Sequence, residues 1–225
     1  MSTSERDLSS QRLVVFGATG VTGGYVLRRA LDQGLHVRAA VRSPDKLPSD
    51  LADHERLEVM KVDVTDTAAV ARAIAGVDMV FAALGYKGQP DRPVLLPFVR
   101  EVVRSMRQHQ ARRFVYQASG LSSDPNHPHP AVIRYILRPL VGWVLGVRAL
   151  WSEHDAVIRF LAEEAGDLDW TVTRPGMLSD GESRGVPIAH ETRAGPLNYR
   201  DVAAFSLDAV TSGAYAGACP YLAYP

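Results

Sequence analysis

The stretch RLVVFGATGVTGGYVLRRALDQG, residues 12–34, decides the fold. It opens with an apolar run, residues 12–16, that is typical of a buried strand, and residues 21–33 carry apolar side chains along one face of a helix. Where the two meet, three glycines are spaced as G-x-x-G-x-x-G in Gly17-Ala18-Thr19-Gly20-Val21-Thr22-Gly23. Glycines let the chain turn sharply and approach a diphosphate, which the free N–H groups of a helix N-terminus then bind. The motif predicts a nucleotide site, and a tight structural turn is the alternative.

The rest of the chain alternates between strand and helix patterns. Short apolar runs and helical periodicity predict strands at 36–41, 57–62, 78–83, 113–118 and 168–173, and helices at 67–75, 95–109 and 153–165. Such alternation builds a parallel sheet with helices on both faces. We therefore expect an α/β fold with a doubly wound parallel sheet, a Rossmann fold. Residues 11–225 are expected to form it as a single domain with small C-terminal insertions on the substrate side, after a disordered tail at 1–10.

Composition and charge exclude several classes of function. The chain has 225 residues with 25 Lys and Arg against 25 Asp and Glu, so its net charge is zero, whereas nucleic-acid-binding proteins usually carry a basic excess. Its single cysteine, Cys219, excludes an internal disulfide and any metal site built on paired cysteines, and it favours the reducing cytoplasm. We expect a cytoplasmic protein with a small-molecule substrate, no nucleic-acid partner and no bound metal. The helix at 95–109 leaves a homodimer open.

The ends of the predicted strands indicate which nucleotide binds, because ligands of a doubly wound sheet lie beyond the carboxyl ends of its strands. NAD sites usually place a carboxylate at the end of the second strand to bind the ribose hydroxyl. Here that end reads Val41-Arg42-Ser43. The guanidinium of Arg42 can pair with a 2′-phosphate, with Ser43, Arg38 and Lys46 as nearby donors. We therefore expect NADP(H), against the alternative of a solvated basic turn.

Other strand ends complete the expected cofactor site. Asp63-Val64 follows the third strand and is expected to lie against the adenine, unless Asp63 caps a helix instead. Ala83-Leu84-Gly85 follows the fourth strand, where the lack of bulk lets the ribose and diphosphate pass close. The full set of expected cofactor-binding residues is Gly17, Thr19, Gly20, Val21, Thr22, Arg42, Ser43, Asp63, Val64, Ala83, Leu84, Gly85, Ser119 and Pro175.

Together these motifs resemble the atypical NAD(P)-binding branch of the short-chain dehydrogenase/reductase superfamily. The glycine motif, the segment 41–46, Asp63-Val64 and Thr173-Arg174-Pro175-Gly176 follow one another in the order of that branch. Within it, the chain is most similar to the flavin reductase and biliverdin-IXβ reductase group, with the NmrA-like proteins next. The resemblance covers about residues 12–222 and implies a reductase that uses a nicotinamide cofactor.

The chain departs from the superfamily in two ways. None of its eight tyrosines is followed four residues later by a lysine, so the usual catalytic Tyr-x-x-x-Lys pair is missing. The biliverdin-reducing members carry a histidine in the turn after the sixth strand, where this chain has Met177, which argues against biliverdin as the substrate. Acceptors with their own electron sink, such as flavins and quinones, need no strong protein acid, because the cofactor supplies the hydride. The missing pair therefore fits such acceptors better than it fits a plain ketone.

Two residues are the candidates for catalysis. Ser119 ends the fifth strand and resembles the active-site serine of the superfamily, with a turn-forming role as the alternative. His154 has an unperturbed pKa near neutrality, as a general acid or base requires, and Glu153 and Asp155 are its expected partners. The sequence thus supports an NADPH-dependent oxidoreductase acting on a flavin, quinone or enone-like acceptor. A redox sensor that binds NADP(H) without turnover, and a cofactor-using isomerase or epimerase, are the alternatives.

Three further segments carry weaker signals. His127-x-His129 lies among prolines and is interpreted as a loop rather than a metal site. Tyr86, Lys87 and Tyr135 are candidates for the wall of a substrate pocket. The most apolar stretch, 131–150, contains three arginines, which argues against a membrane span. We interpret it as a buried or half-buried helix, with an apolar lid or partner surface at 139–145 as the alternative.

Overall fold

The structure of the chain, a computed structural model, describes residues 8–51, 53–86, 91–125, 129–192 and 194–225. The strands are β1 (Arg12–Phe16), β2 (His36–Val41), β3 (Leu57–Lys61), β4 (Met79–Ala82), β5 (Arg113–Gln117), β6 (Asp169–Pro175), β7 (Leu178–Ser179), β8 (Ile188–His190), β9 (Leu197–Asn198) and β10 (Tyr221–Ala223). The helices are α1 (Val21–Asp32), α2 (Thr67–Ile74), α3 (Leu95–His109), α4 (Arg138–Val144), α5 (Arg148–Glu164) and α6 (Tyr199–Ser212), and a π-helical turn, Ile133–Leu137, leads into α4.

Eight of these strands form one sheet in the order β3-β2-β1-β4-β5-β6-β10-β8. The pairs from β3 to β10 are parallel, and β8 lies antiparallel to β10 at the edge. The strand order reverses at β1, which has β2 on one side and β4 on the other. Doubly wound sheets bind their ligands in the crevice at such a reversal. The predicted doubly wound parallel sheet is confirmed.

Helices cover both faces of the sheet, because successive strand residues are apolar and point to opposite sides. Val14 and Phe16 belong to the core that contains residues of α2, α3 and α5. Leu13 and Val15 belong to the core that contains residues of α1 and α6. The central strands are therefore buried on both faces, and their loops carry the polar residues that face the crevice.

The long elements are confirmed, with shifts at their ends. The sixth strand continues to Pro175, and the helix predicted to begin at residue 153 begins at Arg148. Strands β7 to β10 were not predicted, because runs of two or three residues carry no readable period. Strands β7 and β9 pair with each other, and with β8 they lie at residues 178–198, in the C-terminal part of the chain. Of the expected tail, residues 1–7 lie outside the described part of the chain.

The interpretation of the apolar segment 131–150 as one buried or half-buried helix is wrong. Tyr135, Leu140 and Trp143 are exposed, Trp143 to 73%. Gly146 adopts a left-handed φ of +66°, which separates the end of α4 from the start of α5. Apolar side chains at 139–145 are exposed, as the alternative interpretation of an apolar lid or partner surface requires. No helix in the described ranges is both long and apolar enough to cross a bilayer.

Candidate functional site

A cleft runs along the carboxyl ends of the parallel strands. It consists of two cavities, of about 480 and 970 Å³, that share residues of the glycine motif, the end of β2 and the segment after β4. We call the smaller one the basic cavity, because Arg42, Ser43 and Lys46 line it. The larger one, which His154 and Ser119 line, is the histidine cavity. The shared residues make the two cavities one continuous cleft.

All fourteen expected cofactor-binding residues, and the catalytic candidates Ser119 and His154, line this cleft. The basic cavity is lined by Gly17, Thr19, Gly20, Arg42, Ser43, Asp63, Val64, Ala83, Leu84 and Gly85. The histidine cavity is lined by Gly20, Val21, Thr22, Arg42, Ala83, Leu84, Gly85, Ser119, His154 and Pro175. The fold thus brings together residues from the ends of the six strands β1 to β6, from the start of α1 and from α5.

Two glycines of the motif allow the first helix to pack tightly against the loop before it. Gly17 adopts a φ of +86°, and a Cβ atom there would lie 2.3 Å from the carbonyl oxygen of Ala83. A Cβ atom on Gly23 would lie 2.2 Å from the carbonyl oxygen of Gly17. Neither position accepts a side chain without movement of the backbone. The loop is therefore held flat against the end of β4, and the start of α1 faces the cleft.

The N-terminus of α1 offers amide hydrogens to the cleft. Gly20 occupies the cap position and has no side chain to accept a hydrogen bond from the helix. The amide of Gly24 donates to the carbonyl oxygen of Gly20 at 2.8 Å, so the amides of Val21 and Thr22 precede the first intrahelical bond. Both residues line the histidine cavity. These amides, together with the positive end of the helix dipole, form a site that suits an anion.

The basic cavity holds Arg42 and Lys46 at the end of β2, close to Asp63 at the end of β3. Arg38 is not a further donor there, and this expectation was wrong. Its guanidinium binds Glu58 at 2.8 Å and the carbonyl oxygens of Ala73 and Ala75, and it lines a separate cavity. A residue four positions before Arg42 in an extended strand lies more than 10 Å away along the sheet, by about 3.3 Å per residue.

The carboxylate of Asp63 forms a turn at the end of β3 and does not cap a helix. Its Oδ1 accepts from the amide of Thr65 at 2.9 Å and from the Thr65 hydroxyl at 2.8 Å. These two hydrogen bonds lower the pKa of Asp63, and the charge of Arg42 lowers it further. The residue that caps α2 is Asp66, which accepts from the amide of Ala69 at 3.1 Å. Asp63 also lines the basic cavity.

His154 is buried in the wall of the histidine cavity and binds Tyr116. The Tyr116 hydroxyl lies 2.8 Å from Nδ1 of His154. Burial lowers the pKa of His154 to about 4 and raises the pKa of Tyr116 well above its ordinary value. At neutral pH the imidazole is therefore uncharged and the phenol keeps its proton. His154 at pH 7 is a hydrogen-bonding group rather than a charged acid.

The Tyr116 hydrogen bond selects the tautomer of the neutral imidazole. Tyr116 is fully buried, and His154 is the hydrogen-bond partner of its hydroxyl among the described contacts. A buried hydroxyl proton left without an acceptor is costly, so the phenol donates and Nδ1 accepts. The imidazole hydrogen then resides on Nε2. Tyr116 was not predicted to belong to the site, because it lies behind the cavity wall and carries no motif.

Glu153 and Asp155, the expected partners of His154, face other groups, so this expectation was wrong. Oε1 of Glu153 accepts from the Tyr86 hydroxyl at 2.6 Å, and Oε2 accepts from the amides of Val94 and Leu95 at the start of α3. Burial and the bond to Glu153 raise the pKa of Tyr86. Asp155 pairs with Arg138 and accepts from the amide of Ser123. On a helix, neighbouring residues point in different directions, which explains why sequence neighbours of His154 do not contact it.

Ser119 lines the histidine cavity and also turns the chain. Its Oγ accepts from the amide of Leu121 at 3.3 Å, and its own amide donates to Oγ of Ser122 at 3.3 Å. The turn role and the cavity position are compatible, because a hydroxyl oxygen that accepts one bond keeps its hydrogen for a second. The contacts of Ser119 thus show its role in the turn, and its place in the cavity wall is compatible with the catalytic interpretation.

The sequence did not single out several residues of the histidine cavity, among them Gln117, Leu150, Trp151, Gly176, Leu178 and Tyr199. Gln117 ends β5, so the strand-end rule that nominated Ser119 would have found it. Gly176 belongs to the motif at 173–176 but was given no role in the site, and the others come from α5, the turn after β6 and the start of α6. Of the pocket candidates, Tyr86 lines both cavities, Lys87 lies outside the described residues, and Tyr135 is exposed on the surface rather than in the cleft. His127 also lies outside the described residues.

Comparison with known proteins agrees with this geometry. The model of the NAD(P)H-binding family matches residues 17–212. The chain is 32% identical over 132 residues to cinnamoyl-CoA reductase 1 of Oryza sativa subsp. japonica, covering 55% of this chain and 39% of that protein. It is 28% identical over 168 residues to dihydroflavonol 4-reductase of Hordeum vulgare, covering 64% and 48%. The chain spans between 18% and 64% of the length of the first curated relatives.

Solved structures share the fold across nearly the whole chain. The oxidoreductase ylbE from Lactococcus lactis superposes with a TM-score of 0.77 at 17% identity, covering 96% of this chain and 91% of that one. The anaerobilin reductase ChuY from Escherichia coli O157:H7 gives 0.75 at 22% identity, covering 96% and 98%. A short-chain dehydrogenase/reductase from Veillonella parvula, in complex with NADP, gives 0.72 at 15% identity, covering 96% and 95%. The chain therefore belongs to the NAD(P)H-binding family, in agreement with the resemblance seen in its motifs.

Proposed function

We propose that the chain is an NADPH-dependent reductase that passes hydride to a small conjugated acceptor such as a flavin, a quinone or an enone. The observation that carries the proposal is one continuous cleft. Residues of the glycine motif line both of its parts, the basic cavity and the histidine cavity, and the buried His154 lies in the wall of the latter. The names of the related cinnamoyl-CoA and dihydroflavonol reductases support reduction as the reaction class.

The residues of the cleft fit a dinucleotide, since a Cβ atom on Gly17 or Gly23 would collide with the backbone that forms the cradle. In the proposed arrangement the amides of Val21 and Thr22 bind the diphosphate. Arg42, with Ser43 and Lys46, binds the 2′-phosphate, and Asp63-Val64 lies against the adenine. The small segment at residues 83–85 lets the ribose and diphosphate pass. Ser119 and Pro175 border the nicotinamide, which supplies the hydride when the cofactor is bound.

His154 and Ser119 are the proposed catalytic residues. Because its pKa is lowered to about 4, His154 is neutral at pH 7, and its Nε2 hydrogen is free of the Tyr116 bond. We assign this hydrogen to the acceptor atom that gains negative charge on reduction, where a fixed donor stabilises the transition state. The Ser119 hydroxyl is the second donor. Leu150 and Trp151 exclude water from this wall, and the final proton comes from solvent at the open end of the cleft.

Turnover of NADPH with flavin, quinone and enone acceptors tests the reaction. We expect oxidation of NADPH with at least one acceptor, and a loss in kcat of about 100-fold in the His154→Gln variant, as for removal of one preorganised donor. The affinity of this variant for NADPH should change little, since His154 lies in the wall of the histidine cavity and is not part of the glycine motif. Tight NADPH binding with no turnover across the panel would favour the redox sensor instead.

The choice of NADPH over NADH is tested at Arg42. We expect Arg42→Ala to weaken NADPH binding roughly 10- to 100-fold, because a charged pair with phosphate contributes about 1.5–3 kcal/mol. NADH binding should be nearly unchanged. Arg38→Ala is the matched control, since Arg38 lies on the same strand and points away from the cleft. Calorimetric titration with both cofactors measures the ratio, and equal losses for the two would reject the assignment of the 2′-phosphate.

A further inference from the structure

An apolar surface covers the outside of α4 and the turns on either side of it. Its residues are Tyr135, Ile136, Leu140, Trp143, Val144 and Leu145, each more than half exposed. A spacing of four places Ile136, Leu140 and Val144 in one row along the helical segment. Most large apolar side chains of the protein are buried in the two cores of the sheet. A contiguous exposed group of this kind marks an interaction surface.

Contacts on the opposite side fix this orientation. Gly142 is the buried residue of α4, and a Cβ atom there would lie 3.0 Å from the ring of Trp151 on α5. Arg138 pairs with Asp155 on α5 at 2.5 Å and binds Oγ of Ser123 at 3.0 Å. The helix therefore lies on α5 through Gly142 and Arg138. Its apolar row is held outward and is not free to fold back onto the core.

The charged residues within the segment that carries this surface are all basic. Residues 131–152 contain Arg134, Arg138 and Arg148 and no acidic residue, although the whole chain is neutral. Arg138 is paired with Asp155. The three arginines and Asp155 line a shallow cavity of about 220 Å³ on the side of α4 that faces α5. The guanidinium of Arg134 lies 5.4 Å from the ring centre of the exposed Tyr135, which belongs to the apolar surface. Apolar and aromatic side chains next to cations are the pattern of a helix that lies in a membrane interface.

We propose that the apolar surface docks on an anionic lipid bilayer. Its apolar side chains enter the boundary between headgroups and acyl chains, Trp143 and Tyr135 lie at headgroup level, and Arg134 and Arg148 contact lipid phosphates. Charge decides against a second copy of the chain. A two-fold contact through this surface would bring the arginines of both copies together, and Asp155, the carboxylate beside them, is already paired with Arg138.

Vesicle binding with fluorescence detection tests the proposal and needs no cofactor. Trp143 is 73% exposed, whereas Trp151 and Trp170 are buried, so a blue shift on membrane binding reports on Trp143. We expect the protein to sediment with vesicles of phosphatidylglycerol and phosphatidylcholine, with a blue shift, and to stay in solution with phosphatidylcholine alone at moderate salt. Trp143→Phe should abolish the shift while most of the binding remains.

Charge and apolar variants separate the two parts of the surface. Arg134→Gln with Arg148→Gln should weaken binding roughly 30-fold, since each arginine near an anionic surface contributes a factor of about five. Arg72→Gln with Arg159→Gln removes the same charge from exposed positions outside the segment and should change binding little. Leu140→Ser with Val144→Ser should weaken binding at every salt concentration.

Three results would overturn the proposal. One is the absence of binding to anionic vesicles at low salt, and another is an equal loss of binding in the two arginine pairs. The third is a dimer in sedimentation velocity that Leu140→Ser with Val144→Ser dissociates, in a protein that does not bind vesicles. That last outcome would assign the surface to a second copy of the chain.

Discussion

At the scale of single residues, the cleft shows how burial changes the chemistry of a histidine. The sequence nominated His154 because a histidine titrates near neutrality. Burial lowers the pKa of His154 to about 4, so its imidazole carries no charge at pH 7. The buried Tyr116 hydroxyl is hydrogen-bonded to Nδ1 of His154. The hydrogen of the neutral imidazole is therefore held on Nε2, in a fixed position. In the proposed reaction Tyr116 is thus a positioning residue that acts through His154.

Replacement of Tyr116 by phenylalanine tests this positioning. Tyr116→Phe keeps the buried ring and removes the hydroxyl, so the Nδ1 tautomer is no longer disfavoured. We expect kcat to fall about 5- to 10-fold, the value of one hydrogen bond of roughly 1 kcal/mol, with KM for NADPH unchanged. The ¹⁵N spectrum of His154 should change from the Nε2-H form to a mixture of tautomers. A spectrum identical to that of the unchanged protein would show that Tyr116 does not set the tautomer, whatever happens to kcat.

At the scale of elements, we expect the contact between α1 and the glycine loop to decide both the stability of the fold and the proposed cofactor binding. We expect Gly23→Ala to cost more than about 2 kcal/mol in the free energy of unfolding and to abolish NADPH binding, because the backbone must move to admit the new methyl group. Gly24→Ala is the control one residue later. Its Cβ atom would lie 3.4 Å from the carbonyl oxygen of Ala18, which is an ordinary contact.

Urea unfolding and NADPH titration of the two variants give the comparison. Since alanine favours a helix interior, Gly24→Ala should leave stability unchanged or raise it by about 0.5–1 kcal/mol. If Gly23→Ala were as stable as Gly24→Ala and bound NADPH equally well, the close approach of α1 to the loop would not be needed for the site.

The same elements show what sequence patterns can and cannot predict. β1, β2 and α3 have the predicted bounds, because long apolar runs and a clear helical period define them. The expected cleft residues were then identified at the carboxyl ends of the strands, because the parallel strands all end at one edge of the sheet, where ligands bind. The segment 131–150 was misread, because an apolar run looks the same whether it faces a core or a partner. The Tyr116–His154 contact could not be foreseen, since it joins residues 38 positions apart on different elements.

At the scale of the whole molecule, the sheet separates a dry core from a polar edge. Both faces of the central strands are buried, and the cleft gathers the loops at their carboxyl ends. The apolar surface is followed in the chain by part of the cleft. Helix α5 begins directly after the surface and contributes Trp151 and His154 to the wall of the histidine cavity. The burial that shapes the cavity also makes the stability of the whole fold depend on pH.

Acid should destabilise the protein through His154. In the unfolded chain a histidine takes up a proton below pH 6.5, whereas in the folded protein burial delays this to about pH 4. Between these values the unfolded state binds more protons, so stability is full above pH 6.5 and is lost as the pH falls toward 4. From pH 7 to pH 5 the contribution of this residue amounts to about 2 kcal/mol. Urea unfolding at the two pH values should therefore show a loss about 2 kcal/mol smaller in His154→Gln than in the unchanged protein. Parallel losses in the two proteins would mean that His154 is charged in the fold, and its assignment as a neutral hydrogen-bond donor would then fail.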